Sequence, residues 1–442
     1  MFTRKQLAGL LIPLVLEQTL SVTIGLADTL MVAPLGEAAM SGVSLVDAFN
    51  TLILLILAAL AAGGSVVTSQ YVGRRDWSSV KKTAAQIILS VLVVSCLVGL
   101  LVICLRNRIL GLIYGALDSK VMGYARTYFF FSALSYPFMG LYNAGAALFR
   151  VEGNSRISMM ASFVMNVTNI AGNALLIYGL RLGVAGAALS SLASRAAACL
   201  AVMLLLQKKG SPLRIDSPAL LKPDRGMIRR ILAIGIPNGI ENGMFQIGKL
   251  SVSSLTSTLG TAAIAANAAG NSFCGILNIP ANAIGLAVIT IVGQCLGAGK
   301  KEQAAYYAKR LLWASFMGAW LTNLSSLLVF NRLAVSWFHL SAEAADMCLE
   351  VLTWFNVVSL FLWPSSFTLP NILRAGGDAR YTMEVSVFSM WVFRVLLSYL
   401  LAGYLGFGLL GVWMGMFVDW GFRSLFFMRR FLSGRWMEHK VI

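Results

Sequence analysis

Charge is what this sequence has least of. Of 442 residues only 12% are Asp, Glu, Lys or Arg, about half the share of a soluble chain. Acids are the scarcer sign, with 18 Asp and Glu against 35 Lys and Arg. Histidine is reduced to His339 and His439, which leaves no cluster for a metal enzyme. The six cysteines (Cys96, Cys104, Cys199, Cys274, Cys295 and Cys348) form no CxxC pair. Most lie in apolar spans, where a thiol behaves as a small hydrophobe, so neither a disulfide framework nor a zinc site is expected. No GxxxxGK[ST] motif occurs, and ATP drive within the chain is unsupported. Without a reactive constellation, neither enzymatic activity nor an organic cofactor is expected.

What is present is apolar: 58% hydrophobic residues and a mean hydropathy of +0.77. Runs of roughly 20 apolar residues recur along the chain, each long enough for a hydrocarbon core of ~30 Å. The pattern predicts an all-α polytopic membrane protein with twelve spans. They fall near 7–33, 44–68, 84–105, 121–147, 158–180, 184–206, 231–259, 265–292, 309–330, 347–371, 381–402 and 408–430. The opening "MFTRKQ" leads into a long span without a small-residue cleavage site, so that span reads as retained.

The net charge of +17 is a matter of topology rather than of nucleic-acid binding. Basic clusters such as "GRRDWSSVKK", "GAGKKEQAAYYAKR" and "RRFLSGRWMEHK" follow every second span, and with Arg4 and Lys5 they hold 25 of the 35 Lys and Arg. The opposite margins hold six: Arg106, Arg108, Lys120, Arg126, Arg181 and Arg332. The positive-inside rule then predicts a multi-pass protein of the plasma membrane with both termini cytoplasmic, its excess charge contacting anionic lipid.

The chain also repeats itself. "IPLVLEQ" at 12–18 matches "IPNGIEN" at 236–242, aligning Pro13 with Pro237 and Glu17 with Glu241, a shift of 237 − 13 = 224. The same shift aligns Gly36 with Gly260, Gln70 with Gln294, Arg150 with Arg374 and Gly153 with Gly377; "LGVAGAA" at 182–188 meets "FGLLGVW" at 407–413 after one extra residue. Six spans per half give the halves one orientation, related by a pseudo-two-fold along the membrane normal. Parallel repeats of this kind are typical of secondary transporters. The expected organisation is a six-helix lobe at 1–206, a basic linker at 207–230 and a second six-helix lobe with a short tail at 231–442.

Taken together, "ADTLMVAPLG", "SQYVGRRD", "LFRVEGNSR", "LGVAGAALSS", "GIPNGIENGMFQIGK", "VGQCLGAGK" and "ILRAGGDAR" resemble the multidrug and toxic compound extrusion (MATE) family over essentially the whole chain. The resemblance implies two six-helix lobes, alternating access, and export of small amphiphilic, often cationic organic compounds by antiport with H⁺ or Na⁺. A monomer is the family expectation. Two other readings are weighed. A major-facilitator transporter lacks support: "GRRDWSSVKK" does not carry the full order of its basic loop motif, and the duplicated Gln-x-x-Gly loops do not belong to that fold. A lipid-linked oligosaccharide flippase of the same superfamily is the runner-up, although away from the span ends only Arg195, Lys249, Arg394 and Arg423 are basic.

Intramembrane polar residues are functional candidates by default. Asp28 has Val252 as its counterpart, and the stripe Asn166, Asn169 and Asn173, at i, i+3 and i+7, is met under the constant shift by Met390, Phe393 and Leu397. Polar groups confined to one half break the repeat symmetry, as a single coupling site requires. Asp28 with Asn169 and Asn173 is therefore the candidate cation-coupling site, for H⁺ or a bound Na⁺. The resemblance places Ser191 where the family has a Thr and Asn173 where it has a second Asp, which removes one negative charge and leaves the ion open. The alternative is a stripe that only hydrogen-bonds neighbouring helices. Pro13 is a candidate bend, and Glu17, Glu241 and Lys249 are candidates for cavity lining or gating. Arg394, Asp419 and Arg423 are candidates for a structural cluster, with Asp419 and Arg423 spaced i, i+4 for pairing. Asp47 is a weaker candidate for either role.

Overall fold

The computed structural model of the chain describes residues 2–115, 118–331, 335, 338 and 340–442; Arg332 and His339 lie outside them. Among the described residues there is no strand, and the helices follow one another as twelve rods. In the first half these are α1 (Arg4–Val32), α2 (Glu37–Arg74), α3 (Trp77–Tyr114), α4 (Ser119–Glu152), α5 (Ser155–Asn173) and α6 (Gly183–Leu206). In the second half α7 is Arg225–Ser257, and α8 is broken into Thr261–Leu277 and Ile279–Gly297. Then α9 is Lys301–Ser325, α10 runs from Ala342–Trp363 through a wide turn to Leu369–Ala375, α11 starts as Ala379–Ser389, and α12 is Gly408–Leu432.

Nine of these rods contain a helix long and apolar enough to cross a membrane; among the described residues α4, α7 and α12 do not reach that hydropathy. The twelve-span reading thus rests on composition for nine rods and on fold for three. The shortfall has a cause. α4 carries Arg150, α7 carries Glu241 and Lys249, and α12 carries Asp419 and Arg423. All but Lys249 have partners inside the protein, described below.

The chain divides into two compact units, residues 2–239 and 240–442, with α7 beginning in the first and ending in the second. In the first unit α2 packs on α3 and α4, α4 on α3 and α6, and α5 on α1 and α6. The second unit repeats this, α8 packing on α9 and α10, α10 on α9 and α12, and α11 on α12. The basic segment after α6 is docked rather than free. Gln86 of α3 donates to the carbonyls of Leu220 (2.8 Å) and Lys222 (2.9 Å) and accepts from the Asp224 N–H (3.0 Å). Lys81 and Lys82 pair with Asp216 and Asp224, and these hydrogen bonds hold both carboxyls below the usual range.

The repeat extends to backbone dihedrals. Gly36 and Gly260, at the starts of α2 and α8, have φ of 100° and 102°. Gly153 and Gly377, ending α4 and α10, have φ of 95° and 94°. Only glycine adopts such values without strain, so the four glycines fix the same corners twice.

Where the shift changes from 224 to 225 is visible in the packing of α5 on α6 and of α11 on α12. Ser190 Oγ donates to the Asn169 carbonyl at 2.7 Å, and at the equivalent crossing a Cβ on Gly415 would lie 3.1 Å from the Phe393 carbonyl; 393 − 169 is still 224. Further along, Gly186 abuts Leu176 as Gly411 abuts Leu401, and 401 − 176 is 225. The extra residue therefore enters between 393 and 401. α11 has a π-helical turn, Met390–Leu396, where α5 is a regular α-helix, whereas its second π turn, Tyr399–Tyr404, matches Ala174–Gly179. A π turn closes i→i+5 and so absorbs one more residue than an α turn. This corrects the sequence alignment at one position. Met390 and Phe393 stand opposite Asn166 and Asn169, but Asn173 is met by Ser398 rather than Leu397.

Gly186 marks a close backbone crossing, since a Cβ there would lie 2.9 Å from the Leu176 carbonyl. Gly186→Val is expected to cost about 1–3 kcal/mol through overpacking. Gly123→Ala in α4, with open space around it, is expected to be neutral or slightly stabilising. Thermal unfolding in detergent checks both.

Candidate functional site

Packing of α1 along α5 turns Asp28 towards the Asn stripe. Asn173 Nδ2 donates to Asp28 Oδ1 at 2.7 Å and lies 3.3 Å from Asn169 Oδ1. Asn169 Nδ2 in turn points at Ser191 Oγ of α6, at 3.3 Å. Asp28, Asn169, Asn173 and Ser191 are thus one chain of hydrogen bonds across three helices. Asn166 is apart from it, donating to the Ser162 carbonyl at 2.9 Å. Asn169 and Asn173 are buried and Asp28 is half-buried. Asn173 Oδ1 is buried with no hydrogen-bond partner among the described residues. A buried acceptor without a donor is costly, and this one sits beside a carboxylate.

Asp28 and Ser191 line a small cavity of about 30 Å³, with Thr29, Ser44, Asp47 and Tyr128 in the same wall. Asp47 is thereby promoted from the periphery to the site. A network stands behind it: Asn50 Nδ2 lies 3.3 Å from Asp47 Oδ1 and donates to Ser132 Oγ at 3.0 Å, while Tyr136 donates to Asn50 Oδ1 at 2.7 Å. Arg195 of α6 donates to Ser135 Oγ at 2.6 Å. Asn50, Tyr128 and Tyr136 are absent from the sequence-derived set. The i, i+3 spacing of Asp47 and Asn50 was the available signal for one of them.

Glu17 shares the α5-facing side of α1 with Asp28 but is engaged elsewhere. Its carboxylate takes Arg150 Nη1 at 2.7 Å and Ser158 Oγ at 2.6 Å. Glu241 takes Arg374 Nη2 at 2.6 Å and Arg423 Nη2 at 3.4 Å. Both glutamates therefore hold an arginine 133 residues further on. The predicted i, i+4 pairing of Asp419 with Arg423 does not form. Asp419 accepts from Ser389 Oγ at 2.5 Å and faces Arg394 Nη1 at 3.8 Å. Arg423 instead turns to Glu241 and lies over the rings of Phe245 (5.6 Å) and Phe367 (5.1 Å). Crossing to α7 and the wide turn of α10 gives its guanidinium the Glu241 carboxylate and two aromatic faces together. Pro13 and Pro237 lie inside α1 and α7, and both helices continue through them.

Lys249 and Arg394 line a cavity of about 140 Å³ in the second unit, with Asn267, Asn271, Trp413 and Met416. Among the described residues no group of three His, Cys, Asp or Glu is arranged to hold a metal ion.

The MatE family profile matches residues 13–175 and again residues 237–400, two matches that begin 224 residues apart. The chain belongs to the MatE family. Full-length relatives surround it. It is 26% identical to the uncharacterized transporter YisQ of Bacillus subtilis, covering 96% of this chain and 93% of that one. It is 25% identical to the probable multidrug resistance protein NorM of Thermotoga maritima, covering 99% and 94%. A crystal structure of MATE in the bent conformation superposes with a TM-score of 0.88 at 20% identity, covering 98% and 94%. A MOP superfamily transporter from Pyrococcus furiosus, described as having a binding pocket of reverse polarity, also gives 0.88 at 20% identity, covering 99% and 97%. As a MATE protein the chain is a multi-pass membrane transporter, and its two-unit helical architecture is that of the family.

Removing one partner of a buried ion pair costs about 3–5 kcal/mol, mostly from the charge left behind. Glu17→Gln takes the carboxylate from one arginine and Glu241→Gln from two. The second substitution is expected to lower the thermal midpoint in detergent more than the first.

Proposed function

We propose that this chain exports small amphiphilic organic compounds by alternating access, in exchange for H⁺ or Na⁺ bound at Asp28. The observation that carries this reading is the Asn173–Asp28 hydrogen bond of 2.7 Å beside the unpartnered oxygen of Asn173. A proton or small cation on Asp28 would neutralise a carboxylate that stands in an apolar helix bundle. Na⁺ would draw on oxygens, and Asp28 and Asn173 supply them; Asn169 and Ser191 orient the Asn173 amide. H⁺ requires the carboxylate alone. Asp47, in the wall of the same cavity, gives a cationic substrate a second negative charge to compete for.

Resemblance to a probable multidrug resistance protein supports a broad range of substrates, cations among them. A monomer in the plasma membrane with cytoplasmic termini completes the reading, and no catalytic role is assigned. The flippase alternative has one observation in its favour, the basic lining of the cavity in the second unit.

The test is efflux of a cationic fluorescent dye from proteoliposomes under an imposed pH or Na⁺ gradient, each alone. One gradient is expected to drive wild-type efflux, and Asp28→Asn is expected to abolish gradient-driven flux while the protein folds normally. Flux of the mutant at the wild-type rate would overturn the assignment of Asp28. Translocation of a labelled lipid-linked sugar with neither gradient driving dye would favour the flippase reading.

A further inference from the structure

The two cavities are repeat equivalents with opposite charge. Shifted by 224, Asp28 becomes Val252, Thr29 becomes Ser253, Asp47 becomes Asn271 and Gly25 becomes Lys249. Shifted by 225, beyond the extra π turn, Ser191 becomes Met416. The acidic wall of the first cavity has lost both carboxylates in the second and gained a lysine. Arg394, the other cation, belongs to the π turn Met390–Leu396 that α5 lacks.

The charged groups of the second cavity are both cationic, and donors. Lys249 is exposed to it, and no hydrogen bond or ion pair of its ammonium is found among the described residues. Arg394 is buried, with Asp419 as its carboxylate at 3.8 Å and Phe245 5.0 Å under its Cζ. Ser389 donates to Asp419 Oδ1 at 2.5 Å, while Oδ2 faces Arg394 at a distance too long for a hydrogen bond; Arg394 Nη2 points to Met416 Sδ of the cavity wall at 3.1 Å, and the guanidinium keeps further donor capacity. Trp413 Nε1 can only donate, and it donates to Asn267 Oδ1 at 3.1 Å. The Asn267 amide is thereby oriented, its oxygen taken by Trp413 and, at 3.1 Å, by Asn271 Nδ2, and its NH₂ left over. None of the residues lining the cavity is a carboxylate.

We propose that this cavity binds the anionic headgroup, a carboxylate or phosphate, of an amphiphile whose apolar body lies against Trp413, Met416 and Val252. The inference rests on the transport reading in that it names the chemistry of one class of cargo. Lys249 and Arg394 supply charge-assisted hydrogen bonds, Asn267 a neutral one, and the indole an apolar face. A cation, by contrast, would meet two like charges and no carboxylate in the wall. A soluble organic acid and an acidic lipid both carry such a headgroup.

The test is calorimetric titration of the purified protein, in nanodiscs of phosphatidylcholine, with 2-naphthoate and with 2-naphthylmethylammonium, which share one body. In an Asp28→Asn, Asp47→Asn background, which removes the acidic wall of the first cavity, the protein is expected to bind the anion and to bind the amine at least about tenfold more weakly. Lys249→Met and Asn271→Asp, the latter restoring the carboxylate of the first cavity, are each expected to weaken naphthoate about tenfold. Lys249→Glu is expected to reverse the preference. Asn271 is exposed, so its substitution keeps the test open should the lysine variants unfold. Tighter binding of the amine in the background without Asp28 and Asp47, or naphthoate binding untouched by both Lys249→Met and Asn271→Asp, would overturn the proposal. Repeating the titration with phosphatidylglycerol in the disc separates the sources. Displacement of naphthoate by the lipid assigns the site to a lipid headgroup, and its persistence assigns it to a soluble acid; both uphold an anion site. Asp28→Asn is expected to retain naphthoate binding, so a failure of ion coupling and a failure of this site are read separately.

Discussion

A carboxylate buried among apolar helices has to meet a cation or several donors, because a lone buried charge costs several kcal/mol. In each half of this chain that constraint is met in the same way, Glu17 with Arg150 at 2.7 Å and Glu241 with Arg374 at 2.6 Å. Each pair ties the first helix of its half to the fourth. The arginine stands three residues before the glycine that ends the fourth helix, at φ 95° and 94° respectively. Pair, corner and helix end are therefore one device used twice, and the polar residues that differ between the halves sit on a common frame.

On that frame the halves diverge where chemistry is needed. The first unit keeps Asp28 and Asp47 around a small cavity and lines α5 with amides. The second replaces them with Val252 and Asn271, adds Lys249, and inserts a residue in α11 that carries Arg394 into the wall. Its interior also holds the additional Arg423, which shares Glu241 with Arg374. Duplication with charge reversal gives one chain two polar cavities of opposite preference, suited to a cation on one and an acidic headgroup on the other.

Much of this was legible before any coordinates. Apolar runs marked all twelve rods, nine of which reach membrane-crossing hydropathy among the described residues, and the shift of 224 paired Glu17 with Glu241 and Arg150 with Arg374. Asp28 and the Asn stripe stood out because the constant shift sets apolar residues opposite them, although the extra residue of α11 puts Ser398 opposite Asn173. Other features were not legible. Asp419 and Arg423 are spaced for pairing yet choose other partners, since a helix spacing says which groups can meet and not which better partners stand opposite. Tyr128 and Tyr136 carry no signal in one dimension, an aromatic in an apolar span being ordinary. The three rods of lowest hydropathy, α4, α7 and α12, carry Arg150, Glu241, Asp419 and Arg423, which find partners inside.

The sequence by itself determined the class of fold, the repeat, and the confinement of Asp28 to one half, because these follow from local composition and from identity at a fixed separation. Only the tertiary structure decided that Asn173 touches Asp28, that Arg423 crosses to Glu241, and that Lys249 and Arg394 share a cavity. The reason is rotational. One residue added to a helix turns everything beyond it by about 100°, and the π turn in α11 adds one. Which face of that helix looks inward is set by where the turn falls, and that depends on packing rather than on any single stretch of sequence.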